Sequence, residues 1–196
     1  MGKRVTSRPR QSKRPRGSGA ARKSVRAAEL RQKIRGGETV VVRRVRPADI
    51  ALYPDFIRNV SADDLRMRFF AQIAELTAEE MKRLSHLDYS QEMAFIALDA
   101  KSGLMLGLVR LKDELDHETA EFAVLVRSRL KGHGLGWLLM HRIIDYAKEK
   151  GLRRVYGDVL TENKAMLEMC EEIGFWAEDI GSGFTRVVLD LSKPAR

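Results

Sequence analysis

Between Ala120 and Lys150 the chain passes from an apolar, partly β-branched run into a loop with glycines at 132, 134 and 136, and from there into a long amphipathic segment. This succession prescribes a strand, a turn of bare backbone and a helix that begins where the turn ends. Glycines let successive N–H groups converge with no Cβ in the way. The helix start adds about half an elementary positive charge at the same point. Together they form a receptor for a phosphate or pyrophosphate, and Arg129 and Lys131 add charge to it. A plain strand-to-helix connection with glycines that merely allow tight packing competes with this reading, and the spacing alone leaves both open. A P-loop is excluded because no Lys-Ser or Lys-Thr follows the last glycine. A dinucleotide fold is excluded because three antiparallel strands, rather than an opening βαβ unit, precede the loop.

Those three strands are expected at Met93–Leu98, Leu104–Leu111 and Thr119–Val126, separated by turn-like segments. Upstream, Thr39–Arg46 reads as a strand stopped by Pro47. Ala48–Val60 has helical spacing, a second helix runs from Ser61 to Phe70, and Thr77-x-x-Glu80 opens a third through Leu87. Downstream follow a helix (Leu135–Lys150), a strand (Arg154–Leu160), a helix (Asn163–Ile173) and strands at Phe175–Glu178 and Thr185–Leu191. A meander continued by β-α-β-α-β predicts an α/β fold, a mixed, mostly antiparallel central sheet with helices on both faces.

Charge divides the chain unevenly. Residues 1–35 hold 13 Lys and Arg against Glu29 alone, leaving 23 bases and 26 acids for the rest. The basic character therefore belongs to a tail, which excludes a domain built all round to grip polyanions. Residues 1–37 are expected to be a disordered basic tail, with a short basic helix over Val25–Arg35 ended by Gly36-Gly37, and 38–196 the folded domain. Deleting residues 1–35 is expected to leave turnover nearly unchanged. The tail would reach nucleic acid only through phosphates, weakly and with a salt dependence, because no aromatic residue is interleaved in it for stacking. A solvated appendage and a segment modified by the folded domain itself are the other readings. One cysteine, Cys170, allows no intramolecular disulfide, and it and four scattered histidines give no metal site. No apolar run approaches the ~18 residues of a membrane span, and a cytoplasmic location is expected.

Arg129-Leu-Lys-Gly132-His-Gly134 resembles the pyrophosphate loop of the GNAT acetyltransferases. Asn163, with Gly174-Phe175 downstream, resembles that family's following helix and strand. Arg66-Met-Arg-Phe-Phe70, Asp88-Tyr89-x-x-Glu92-Met-Ala-Phe95 and Ala120-Glu121-Phe-Ala-Val resemble one subgroup, the GNAT domain of bacterial protein-lysine acetyltransferases. That domain is often fused to an acyl-CoA-synthetase-like region, and here a basic tail stands in its place.

The resemblance implies acetyl-CoA as donor, held by Arg129, Lys131, Gly132, His133, Gly134, Leu135, Gly136 and Asn163, with His133 contributing its N–H rather than its ring. It also implies a backbone N–H at Leu125 or Val126 facing the thioester carbonyl, where two strands part to admit the pantetheine arm. Glu121 is the candidate base: apolar neighbours desolvate it and raise its pKa toward a useful value. The bland alternative is an exposed strand-end carboxylate. Cys170 stands where many members have a tyrosine, and a structural thiol is the favoured reading. The implied reaction is direct N-acetylation of protein lysines in a ternary complex. Small-molecule amines are the alternative acceptors, and a non-catalytic CoA-binding or nucleic-acid-associated module is the alternative class.

Overall fold

The computed structural model describes residues 28–70 and 77–192. An eight-stranded sheet is assembled from β1 (Leu30–Lys33), β2 (Thr39–Arg44), β3 (Glu92–Asp99), β4 (Met105–Asp113), β5 (Thr119–Val126), β6 (Arg154–Leu160), β7 (Trp176–Gly181) and β8 (Phe184–Asp190). Their spatial order is β1-β2-β3-β4-β5-β6-β8-β7. Every neighbouring pair is antiparallel except β5 and β6, which run parallel. That single parallel contact is what the intervening helix requires, since a crossover returns the chain in the same direction.

Met93 to Ala97 on β3 are all buried, so the middle of the sheet is covered on both faces. On one face lie α4 (Leu135–Lys150) and α5 (Lys164–Ile173). Leu135, Leu138, Leu139 and Ile143 repeat at helical spacing and turn one stripe of α4 into the core. The opposite face carries a 3₁₀ turn (Pro47–Leu52), α1 (Tyr53–Arg58), α2 (Ala62–Phe69) and α3 (Ala78–Ser85), which bury Tyr53, Phe56 and Leu65 against Ile96 and Leu108. Ser61 caps α2 through a bond from the Asp64 N–H, and Thr77 and Glu80 cap α3 reciprocally.

Two expectations need correction. The helix expected over Ala48–Val60 is a 3₁₀ turn followed by the short α1. Over 28–35, the described part of the expected basic helix, the chain instead forms β1, hydrogen-bonded to β2 from Leu30↔Val42 to Lys33↔Thr39. Gly36 and Gly37, at φ 98° and 96°, do not stop a helix but turn a hairpin, a conformation closed to most side chains. Ile34 is 8% exposed and belongs to the core. The sheet therefore begins inside the segment assigned to a tail, of which residues 1–27 lie outside the described residues. No described helix is long and apolar enough to cross a membrane.

Candidate active site

β5 and β6 pair only at Thr119↔Arg154, Ala120↔Val155 and Glu121↔Tyr156, although β5 continues to Val126 and β6 to Leu160. Beyond Tyr156 they diverge, and Phe122 lays its ring over Gly157, where an added Cβ would stand 2.7 Å from it. The hydrogen bonds at the two ends of the β4–β5 ladder, Arg127 N–H to the Leu106 carbonyl and Glu114 N–H to that of Thr119, fix which backbone groups face the gap. Odd residues of β5 bond to β4, so the N–H and C=O of Val124 and Val126 point toward the parted side. Leu125 lines the cleft, but its amide faces β4 and its side chain packs among the α1–α3 residues. Val126 keeps the orientation expected of it, and Val124 joins it.

The gap opens into a cleft of about 750 Å³ that runs to the glycine loop. The loop leaves β5 at Arg127, a buried guanidinium that donates to the Met105 carbonyl at 2.7 Å and pairs with Asp55. Asp64, at the start of α2, clamps the next residues. It accepts from the Ser128 hydroxyl at 2.5 Å and from Lys131 Nζ. Burial raises the Asp64 pKa, but hydrogen bonds with Lys131, Ser128 and Ser61 outweigh it and hold the carboxyl below its ordinary value.

Gly134 then adopts the left-handed region at φ 82° and becomes the N-cap of α4. The N–H groups of Lys131 and His133 are taken by Ser128 and Leu130 carbonyls, whereas those of Gly132, Gly134, Leu135 and Gly136 meet no protein acceptor among the described residues. Unpaired amides at a helix start are the structural requirement for an anion. His133 lines the cleft, but not with a free amide. Its N–H is occupied, its carbonyl accepts from Arg35 N–H at 3.1 Å, and its ring bonds the Lys131 carbonyl. Arg129 also falls away, because its exposed guanidinium reaches back to Glu38 at 3.3 Å and does not line the cleft. Lys131 lines the cleft but shares its charge with Asp64. Asn163 lines it as the N-cap of α5, its side-chain oxygen accepting from Met166 N–H at 3.3 Å.

Glu121 lies at the last paired residue of β5, where the gap begins, and it faces the cleft. Burial raises its pKa; the nearby Arg68 cation opposes the rise, and Asp158 and Glu114 add to it. A carboxylate raised in this way holds a proton more readily than an exposed glutamate does. Cys170 is fully buried in the core under α5 and absent from the cleft, and burial pushes its thiol up to about 12.

Several cleft residues escaped the sequence reading. Lys33 and Arg35 flank the loop from β1, and Arg68 and Phe70 approach from the end of α2. The Gly-Gly dipeptide between two runs at alternate spacing was the available hairpin signal for the first pair. Arg68 and Phe70 lie in the Arg66-Met-Arg-Phe-Phe70 motif, but that motif assigned them no place in the cleft, which depends on α2 packing across β5.

A sheet whose strands part, an amide-lined loop at a helix start and a partly desolvated carboxylate thus meet in one cleft. The chain belongs to the acetyltransferase (GNAT) family, whose model matches residues 60–175, and it is an acetyl-CoA-dependent N-acetyltransferase. Acetyltransferase PA5475 of Pseudomonas aeruginosa is 30% identical over 158 residues, 80% of this chain and 85% of that protein. Acetyltransferase Pat of Mycolicibacterium smegmatis is 29% identical over 79% of this chain, which spans only 47% of that longer protein. Spermidine N(1)-acetyltransferase of Vibrio cholerae is 28% identical over 63% of this chain and 73% of its own length. Among solved structures, the GNAT domain of S. lividans PAT superposes with a TM-score of 0.77 at 26% identity, over 83% of this chain and 96% of that one.

Proposed function

We propose that this acetyltransferase modifies lysine side chains of proteins, by direct attack of the amine on acetyl-CoA with Glu121 as the base. The observation that carries the reading is the isolation of Glu121. Asp158 is held by Arg186 through two bonds of 2.7 and 2.9 Å, Glu162 by Arg66 at 2.5 Å, and Glu114 by the Tyr156 hydroxyl at 2.6 Å. A polyamine carries several positive charges and calls for several free carboxylates; the two carboxylates that act on Glu121, Asp158 and Glu114, are both committed. A single lysine amine needs one.

In the reaction Glu121 removes a proton from the ammonium, whose ordinary pKa is ~10.4. The freed nitrogen attacks the thioester carbonyl, a C–N bond forms and the C–S bond breaks; the second proton leaves the nitrogen to water, and the CoA thiolate takes a proton from water in return. Amides of Gly132, Gly134, Leu135 and Gly136 hold the pyrophosphate, Asn163 supports the adjoining wall, and the Val126 N–H, with Val124 beside it, faces the pantetheine arm and polarises the carbonyl. Cys170 takes no part. The cytosol is the matching compartment for a chain with one free thiol.

Similarity to a spermidine acetyltransferase supports a second reading, acetylation of a polyamine. Labelled acetyl-CoA, purified enzyme and a cell lysate decide between them. The lysine reading expects label in macromolecules, lost with Glu121→Gln; label confined to small amines overturns it.

A further inference from the structure

Arg68 sits at the inner end of α2, enclosed by Phe69, Leu125 and neighbouring cleft residues, beside Glu121. Every other arginine near this end has a carboxylate partner: Arg66 with Glu162 at 2.5 Å, Arg110 with Glu92 at 2.6 Å and Arg186 with Asp158 at 2.7 Å. Arg68 makes no ion pair and no hydrogen bond among the described residues, and its attraction to Glu121 acts through space. Burial and the Arg110 charge both work against the cation, and its pKa falls to about 10. A guanidinium carries five N–H donors in a rigid fork. Half-buried on the cleft wall with no protein acceptor among the described residues, they are presented to whatever enters the cleft.

We infer that Arg68 is an acceptor-binding residue: its guanidinium takes the main-chain carbonyl oxygen of the lysine-bearing segment while Glu121 receives the amine, and its charge turns polycationic amines away. The inference rests on the lysine reading and deepens it. A peptide supplies both an amine and an oxygen acceptor, whereas a polyamine supplies only further positive charge, which Arg68 repels.

The test uses the full chain with a lysine-containing peptide and with spermidine as acceptors, comparing Arg68→Gln and Arg68→Lys with the parent. Arg68→Gln is expected to raise the peptide KM about tenfold or more, the equivalent of one charge-assisted hydrogen bond at ~1.4 kcal/mol per factor of ten. The expected change in kcat is less than threefold. Arg68→Lys should recover part of the loss, and calorimetric affinity for acetyl-CoA should hold. Spermidine kcat/KM is expected to rise in Arg68→Gln. Peptide binding to the enzyme–CoA complex, followed by calorimetry, must fall in parallel and registers the same loss without turnover. An unchanged peptide KM and affinity overturn the inference. So does an effect confined to kcat with a displaced pH profile, since Arg68 would then act only through Glu121. A parent enzyme that acetylates spermidine and no peptide overturns the lysine reading instead; Arg68 is then judged on the spermidine arm, where an unchanged rate in Arg68→Gln refutes the repulsion.

Discussion

Glu121 concentrates the conflict between stability and chemistry on one side chain. Its carboxyl pKa lies above the ordinary 4.5, chiefly through burial, even with the Arg68 cation nearby. The folded protein therefore binds this proton more tightly than the unfolded chain does. The stability it contributes is complete below pH 4.5 and is lost as pH rises through the folded value. Glu121→Gln should then melt at the same temperature as the parent or higher at about pH 7.5, with the difference vanishing in acid, while kcat/KM drops by roughly 10²–10⁴-fold. The parent's rate should fall on its acid side at a pH above the ordinary glutamate range, and the variant's residual rate should lose that limb. Calorimetric melting and a pH–rate profile check both. A variant that loses activity together with its fold would remove the base assignment.

Gly134 and Gly136 offer a second contrast at this scale. Gly134 is left-handed and an added Cβ would meet nothing within 4 Å, so Gly134→Ala adds backbone strain and no clash, about 1–2 kcal/mol. Gly136 is helical, and its Cβ would touch only Met169 Sδ at an ordinary 3.6 Å. Gly136→Ala should gain about 0.5–1 kcal/mol. Denaturant unfolding distinguishes the two, and weaker acetyl-CoA affinity is expected for Gly134→Ala alone.

Among the elements, β1 shows where local pattern stops being informative. β5, α4 and β6 were legible to the residue, because each combines strong periodicity with glycine or basic punctuation. β1 is four residues with three exposed side chains, and its high charge reads as a solvated segment. Only pairing with β2 and the placement of Ile34 in the core shared with α4 reveal it. Arg68 and the committed carboxylates were equally hidden, since their partners lie on other elements. Phase along β5 was legible only in part: alternation was clear, but which set of amides faces the gap depends on the β4 register. The expectation that residues 1–35 are dispensable therefore changes. Deletion of 1–35 removes β1, the buried Ile34 and the Arg35 bond to the His133 carbonyl. Losing the Ile34 side chain alone should cost about 2–5 kcal/mol, and acetyl-CoA binding should weaken with the loop. Deletion of 1–27 should preserve melting temperature and KM for acetyl-CoA. Thermal denaturation and steady-state kinetics of the two truncations side by side decide it.

For the whole molecule the same cut separates two electrostatic characters. Ten of the 36 bases and none of the 27 acids lie in residues 1–27, so the remainder holds 26 bases against 27 acids, where the full chain carries +9. Attraction to a polyanion scales with the phosphates or sulfates neutralised and weakens steeply as salt rises. The full chain is therefore expected to be retained on immobilised heparin and released by salt, and the chain lacking 1–27 to pass through at low salt. Near-zero net charge should also make the shortened protein less soluble around neutral pH. Acetyl-CoA turnover on a short peptide should be equal in the two forms, because the described residues that line the cleft begin at Gln32. If the shortened form were still held on heparin, a basic surface of the folded body would have to account for the affinity. The exposed Lys33 and Arg35 of the first hairpin, beside the glycine loop, would then be the surface to neutralise next.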